Sequence, residues 1–389
     1  MEGNRKKRRV RVLGAVAAAF LVALVAAGVL KWRMLTSHFV ALYHRQTCNP
    51  TEISPEDVRS CPAACHLDDV PWIATREWYC AANSLSMIAA QHGVHAPTEH
   101  CSFLMGFSYG ASAVPGSSVV QFFGEPEAGL GAAAPYVGLQ RRYYTTDDAT
   151  LYLNALRSAL SQGYPVRVGL DVAVLYDLEE PSPHSEVLVG YDQDGFLYYE
   201  TVCLPEAPCE PGEQPPGEEG LRISDQTLLE AVRGQAKIFS CPWRYSLTIF
   251  EERSRETDLG PIWARNGDLL VGGAKYGPAQ GADAIEALAN TFEKHGVKAD
   301  VAEIAPPLGA AIYGRRDNAA HLREAFAGST DVERAATLFD AAADHYETVF
   351  ERLGDGLEDE TEKHEIATAL RVAAEAERQI GELFLSLGQ

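Results

Sequence analysis

Residues 78–93 read Trp-Tyr-Cys-Ala-Ala-Asn-Ser-Leu-Ser-Met-Ile-Ala-Ala-Gln-His-Gly. Ala82, Leu85, Ile88 and Ala89 recur at helical spacing and Gly93 is a suitable terminator, so a helix is expected over 81–91 with Cys80 immediately before it. Downstream, Tyr164-Pro-Val-Arg-Val-Gly-Leu-Asp171 alternates Val166, Val168 and Leu170 and predicts a strand. Val187-Leu-Val-Gly-Tyr191, the Gly-closed turn Asp192-Gln-Asp-Gly195 and Phe196-Leu-Tyr-Tyr-Glu200 predict a β-hairpin, which His184 enters and Glu200 leaves.

This order of elements carries a chemical possibility. The positive end of a helix dipole favours a thiolate, so a cysteine at a helix start is a candidate nucleophile. A histidine must then reach the sulfur from another element, and an acid or amide must orient the imidazole from its far side. Cys80, His184 and Glu200 have the right types in the right places. The hairpin sets a condition: if Tyr191 pairs with Phe196, residues 184 and 200 point to opposite faces, whereas a bulge at Gly195 that pairs Asp192 with Phe196 brings them together. Taken singly, Cys80 reads equally as a buried or disulfide-bonded cysteine, His184 as a surface histidine beside Pro181 and Pro183, and Glu200 as a solvated strand-end carboxylate.

The stretches Trp78–Gly93, Gly163–Asp171 and His184–Asp192 resemble the papain-like cores of double-glycine leader peptidases. They are more similar still to the amino-terminal domain of the butirosin-biosynthesis H acyltransferase family. Gly281–Ile285 and Gly314-Arg-Arg316 are similar to the helical domain that accompanies such cores, extending the resemblance over residues 70–355. It implies Cys80 as nucleophile, His184 as base and Glu200 as the group that orients the imidazole. Two departures stand out: no glutamine precedes Cys80 by a few residues, and Glu200 replaces the commoner Asp or Asn. The Cys80 backbone N–H then remains for an oxyanion, with Arg76 and Trp72 as side-chain candidates. Asp171 and Tyr176 match positions of the same pattern and are read as structural; Asp192 and Asp194 are read as turn residues.

Around this core, the 389 residues carry 46% hydrophobic residues and 8 Cys, which excludes a disordered or collagen-like chain and leaves room for two folded units. The net charge of −21 divides into +7 over residues 1–33 and −28 over the rest. So acidic a body repels phosphate backbones, and no basic stripe with interleaved aromatics offsets it, so nucleic acid is excluded as a partner. Arg5, Lys6, Lys7, Arg8, Arg9 and Arg11 precede an uncharged apolar run from Val12 to Leu30, and Lys31 and Arg33 follow. At about 1.5 Å per residue the run comes just under the roughly 30 Å of bilayer hydrocarbon, and its upstream cations keep the amino end in the cytoplasm. A single membrane-spanning anchor is expected, with the body outside; the alternative is a signal peptide cleaved near Val25-Ala26-Ala27. Export permits disulfides, and Cys203 and Cys209 bracket a Pro- and Glu-rich loop as a possible pair. Cys61-x3-Cys65-His66 lacks a second cluster with ligand spacing, so no metal and no cofactor are expected.

The expected fold class is α+β: a papain-like core with an antiparallel sheet, then a small helical bundle. Its divisions are a basic end and anchor helix (1–33), a turn-rich stalk (34–70), a papain-like domain (71–255) and a helical domain (256–389) with helices over 284–295, 321–326, 332–353 and 361–387. The expected activity is cleavage of a peptide or amide bond through a Cys80 thioester, or transfer of that acyl group to an amine; an extracytoplasmic body sits badly with a cytoplasmic acyl-carrier donor, which favours hydrolysis. The competing expectation is an inactive scaffold of the same fold with Cys80 in a disulfide.

Overall fold

The computed structural model describes residues 44–73, 75, 78–113, 120–200, 220–272, 279–295, 301–354 and 360–389. The expected anchor, Arg76, Cys203 and Cys209 lie outside these residues, and among the described residues no helix is long and apolar enough to cross a membrane. In chain order the elements begin with a helical turn at 44–48 (α1), β1 (Thr51–Glu52), β2 (Cys65–His66), α2 (Cys80–Gln91), α3 (Thr98–Met105), β3 (Ser112–Ala113) and β4 (Val120–Gln121). There follow α4 (Pro126–Ala133), β5 (Leu139–Thr146), α5 (Ala149–Ser161), β6 (Val166–Asp171), α6 (Val172–Tyr176), β7 (Pro183–Asp192), β8 (Gly195–Tyr199) and β9 (Leu221–Ile223). The chain closes with α7 (Asp225–Ile238), β10 (Tyr245–Glu252), α8 (Gly260–Val271), α9 (Gly281–His295), α10 (Val301–Ala325), α11 (Thr330–Gly354) and α12 (Glu360–Leu387). The fold is α+β, a mixed sheet followed by a helical region.

The main sheet runs β1-β5-β10-β6-β7-β8-β9, with β2 added to β7. It is antiparallel except for β1, which lies parallel to β5, so the all-antiparallel expectation is corrected at that edge. The correction comes from the segment read as a stalk. Thr51–Glu52 joins the sheet, Cys65–His66 pairs with Gly190–Tyr191, and Ile53, Leu67 and Val70 are buried in the core. Strand β6 is buried along its whole length, as its run of valine and leucine requires for a central strand. Helix α7 lies across it so closely that a Cβ on Gly169 would come 1.9 Å from the Gln235 side chain.

The β7–β8 hairpin takes the first of the two registers weighed from the sequence at its turn and leaves it further along the strands by a bulge of its own. At the turn Tyr191 pairs with Phe196 and Asp192 with Gly195, the pairing that separates residues 184 and 200. Between Leu188 and Gly190 the register shifts by one: Leu188 faces Tyr198 and Val187 faces Tyr199, which sets Glu186 opposite Glu200. The bulge thus sits at Val189 rather than at Gly195. There the strand is also approached from the side, since the Val189 carbonyl accepts the Leu67 N–H at 2.8 Å, and a Cβ on Gly190 would lie 2.6 Å from the Cys65 carbonyl oxygen.

The helical region differs from expectation in α8, a 12-residue helix over glycine-bearing sequence where no helix was expected, and in α10, a helix of 25 residues of which only the end, 321–326, was legible. Pro306 and Pro307 stand inside its second turn, where each removes one intrahelical hydrogen bond, and they mask the helical pattern. A single core cluster joins Leu85 on α2 and Val187 on β7 to Phe339 on α11 and Phe384 on α12. The Arg315 guanidinium, fully buried, pairs with Glu377 and donates to the carbonyls of Ser108 and Gly110, tying α10 and α12 to the segment after α3.

Candidate active site

Helix α2 is buried over most of its circumference, which its small residues allow: Ala81, Ala82, Leu85, Met87, Ile88 and Ala89 are all in the core. Its first residue, Cys80, is half-buried with a free thiol. The chain enters through Trp78 at φ 83°, a left-handed conformation that costs a non-glycine residue roughly 1–3 kcal/mol and is held by packing, here a stack of its ring on Phe123 at 5.7 Å. Behind the first turn, the Ser84 hydroxyl donates to the Cys80 carbonyl at 2.8 Å and meets the Ser185 hydroxyl at 3.0 Å. Ser185 in turn accepts from Arg167 Nε at 2.8 Å. Arg167 and Arg141 both pair with the Glu127 carboxylate, so a buried cation is fixed beneath the thiol.

Strand β7 presents His184 and Glu186 on one face, and the bulge at Val189 brings Glu200 to the same face. His184 Nε2 lies 2.7 Å from Glu200 Oε1 and 2.8 Å from Glu186 Oε1. The same imidazole is near enough to the Cys80 thiol to lower its pKa; with Nε2 held by carboxylates, Nδ1 is the ring nitrogen left for the sulfur. Glu200 is fixed at both ends: the Tyr176 hydroxyl donates to its Oε2 at 2.6 Å, and the Trp72 indole N–H donates to its backbone oxygen at 2.9 Å.

Electrostatics follows from this enclosure. Burial raises the Cys80 thiol, but the hydrogen bond and charge of His184, the charge of Arg167 and the Ala81 N–H outweigh it and bring the thiol below its ordinary value. Burial lowers His184, yet the Glu186 carboxylate and the Cys80 sulfur raise it well above the ordinary imidazole range. The two carboxylates are driven apart. Burial and the neighbouring Glu200 charge hold a proton on Glu186 well above the usual carboxylate range. Burial also works against Glu200, but hydrogen bonds and charge from His184, with bonds from Glu186 and Tyr176, bring it down to about 2.

The structure therefore assembles Cys80, His184 and Glu200, the three residues expected to act together. Trp72 does not stand as a free oxyanion donor, because its one N–H is committed to the Glu200 carbonyl; Arg76 lies outside the described residues. Asp171 has the structural role expected, accepting from the Ala173 and Ser182 N–H groups, and Asp192 accepts from the Asp194 N–H in the turn. Tyr176, read as structural, touches the site through Glu200. Glu186 is the residue that sequence reasoning passed over, although its place two positions after His184 on a strand was the signal that would have found it. With it, His184, Glu186 and Glu200 place one ligand atom each within 4.8 Å of one another, a group that could also hold a divalent cation, where none was expected. No protein-family model matches the chain, and no curated protein matches it.

Proposed function

We propose that this chain is a papain-like cysteine enzyme, exported and held at the membrane by its amino-terminal segment, that cleaves a peptide or small amide through a Cys80 thioester. The observation that carries the reading is the position of His184, whose imidazole lowers the pKa of the Cys80 thiol and is held through Nε2 at 2.7 Å from Glu200. The Cys80 thiolate attacks the acyl carbon, and the negative charge passes to the carbonyl oxygen. The first N–H groups of α2 have no intrahelical acceptor, and the Cys80 backbone N–H among them is the donor for that oxyanion. The imidazolium gives its proton to the departing amine, the C–N bond breaks and the thioester remains. Water, deprotonated by the now neutral His184, releases the acid and restores the thiol; an amine in place of water gives acyl transfer. Glu200 holds the imidazolium throughout, and Glu186 keeps its proton between the two carboxylates.

The commitment of the Trp72 N–H to Glu200 favours a second reading, a binding scaffold of this fold without turnover. Iodoacetamide labelling of the non-reduced protein, read by mass spectrometry across about pH 5 to 9, separates the two. An enzyme shows fast alkylation of Cys80 on the acid side, abolished in His184→Ala. Equal slow labelling in both proteins, or Cys80 in a disulfide, rejects the enzyme reading.

A further inference from the structure

Eight cysteines are present and six of them lie in described residues, all as free thiols. Their surroundings sort them. Cys80 faces the His184 imidazole that lowers its pKa, and Cys101 is buried on α3 with its thiol directed to the Ala96 carbonyl at 3.6 Å. Cys48, at the end of α1, and Cys241, between α7 and β10, are different. Cys48 forms a small cluster with Tyr143 and Trp243, separate from the main core, Cys241 packs against that cluster, and both cysteines line a cavity of about 30 Å³. Glu125 and Glu127 line the same cavity. Burial first and these carboxylates second disfavour a thiolate at either cysteine, raising Cys241 to about 12. The best hydrogen bond open to the Cys48 thiol, to Glu125, is long at 4.0 Å. Two thiols therefore border one cavity where neither ionises easily, and a disulfide, which has no charge and no proton to satisfy, suits that environment better.

The backbone around them is already braced in this arrangement. His44 Nε2 meets the Phe239 carbonyl at 2.8 Å, and the Cys48 carbonyl accepts from Arg141. We infer that Cys48 and Cys241 form a disulfide that staples the segment following the amino-terminal anchor to the α7–β10 corner of the body. The oxidant is a second disulfide, that of oxidised glutathione or of a thiol–disulfide oxidoreductase. One cysteine, as thiolate, attacks it and expels a thiol; the other attacks the mixed disulfide and expels the second thiol. One protein S–S bond forms, two protein S–H protons are lost, and the two electrons reduce the incoming disulfide to two thiols. The pairing also resolves the cysteine arithmetic: with Cys80 and Cys101 left as thiols, Cys61 with Cys65 and Cys203 with Cys209 are the remaining neighbours in sequence.

The test equilibrates the full chain in glutathione buffer rich in the oxidised form, quenches it with acid, alkylates it in denaturant and maps the peptides by mass spectrometry. The expected product is a peptide pair joined through Cys48 and Cys241, two hydrogen masses below its reduced components, with Cys101 alkylated. Reduction is expected to lower the thermal midpoint by several degrees, and to lower it less in the Cys48→Ala/Cys241→Ala protein. Both cysteines alkylated after oxidation, either one joined to a different partner, or both carrying glutathione, would overturn the pairing. The mapping needs no variant, so a variant that fails to fold leaves the result standing.

Discussion

Glu186 and Glu200 face one another across the β7–β8 hairpin with the His184 Nε2 between them, 2.8 Å from one carboxylate and 2.7 Å from the other. Two buried carboxylates on one imidazole hold one charge too many for three ionised groups. The site resolves this by leaving the proton on Glu186, which is the more deeply enclosed of the two. Glu200, with Tyr176 and His184 both donating to it, keeps the charge.

Glu200→Gln keeps the shape of the orienting residue and removes its charge. His184 then loses the partner that favours its protonated form, so the alkaline limb of Cys80 alkylation moves to lower pH. A cysteine that loses its imidazolium partner still carries a few per cent thiolate at pH 7, which limits the fall in alkylation to about ten- to a hundredfold. A drop in that range is expected at neutral pH, read from iodoacetamide kinetics against pH. A wild-type profile in Glu200→Gln would remove Glu200 from the site.

Glu186→Gln replaces a protonated acid by its neutral isostere, and here stability is the informative readout. An acid whose folded pKa is raised binds more protons in the folded state, so its contribution falls as pH climbs from the ordinary value of 4.5 toward the folded one. The variant is expected to lose less thermal stability than wild type between about pH 5 and 8. Glu200 has the opposite sign: its stabilisation is present above 4.5 and is lost as pH falls toward about 2, and Glu186→Gln leaves that acid limb in place. Parallel midpoint curves for the two proteins would mean that Glu186 is ionised in the fold.

Much of this site was legible from residue spacing, and the part that was not has a local cause. Helical periodicity placed Cys80 at a helix start, and alternation placed His184 and Glu200 on the arms of one hairpin. The bulge was foreseen as a requirement but set at Gly195, since glycine in a turn is the usual signal. Val189 carries no such signal; what marks the spot is the strand Cys65–His66 passing over Gly190, a contact across more than a hundred residues that no local pattern records. The same distance hid the first strands, because turn-rich sequence around Pro50 and Pro55 masks two-residue strands that exist only through their partners. In α10 the paired prolines outweighed a helix that tertiary packing sustains.

Gly190→Ala tests whether that crossing holds the bulge. The new methyl would lie 2.6 Å from the Cys65 carbonyl and 3.2 Å from the His66 Cα, both backbone positions that cannot rotate away. Overpacking of this kind costs about 1–3 kcal/mol, so a fall in thermal midpoint of several degrees is expected. Cys80 alkylation should slow as well, because the strain falls on the residues that set Glu200 opposite Glu186. An unchanged midpoint would mean that the β2 segment yields without cost.

Arg315 and Glu377 make the clearest test of how the helical region is tied to the site. Both side chains are fully buried, the guanidinium meets the carboxylate at 2.9 and 3.0 Å, and the Tyr346 hydroxyl donates to the same carboxylate at 2.6 Å. Arg315→Met leaves Glu377 buried with only the tyrosine as donor and strips the Gly110 carbonyl of its donor, while the Ser108 carbonyl keeps the Asn318 amide at 2.9 Å. Breaking one side of such a pair costs about 3–5 kcal/mol, whereas replacing both partners by apolar groups of similar volume is often nearly neutral. Denaturant unfolding should therefore show a large loss for Arg315→Met and substantial recovery in Arg315→Met/Glu377→Leu, with a coupling energy of about 2 kcal/mol or more. The double variant also reads function. The carbonyls that Arg315 holds belong to the segment beside Tyr79, the residue before Cys80. If the helices only add bulk, recovered stability brings back full Cys80 reactivity; if Arg315 positions the nucleophile turn, alkylation stays slow in a protein as stable as wild type.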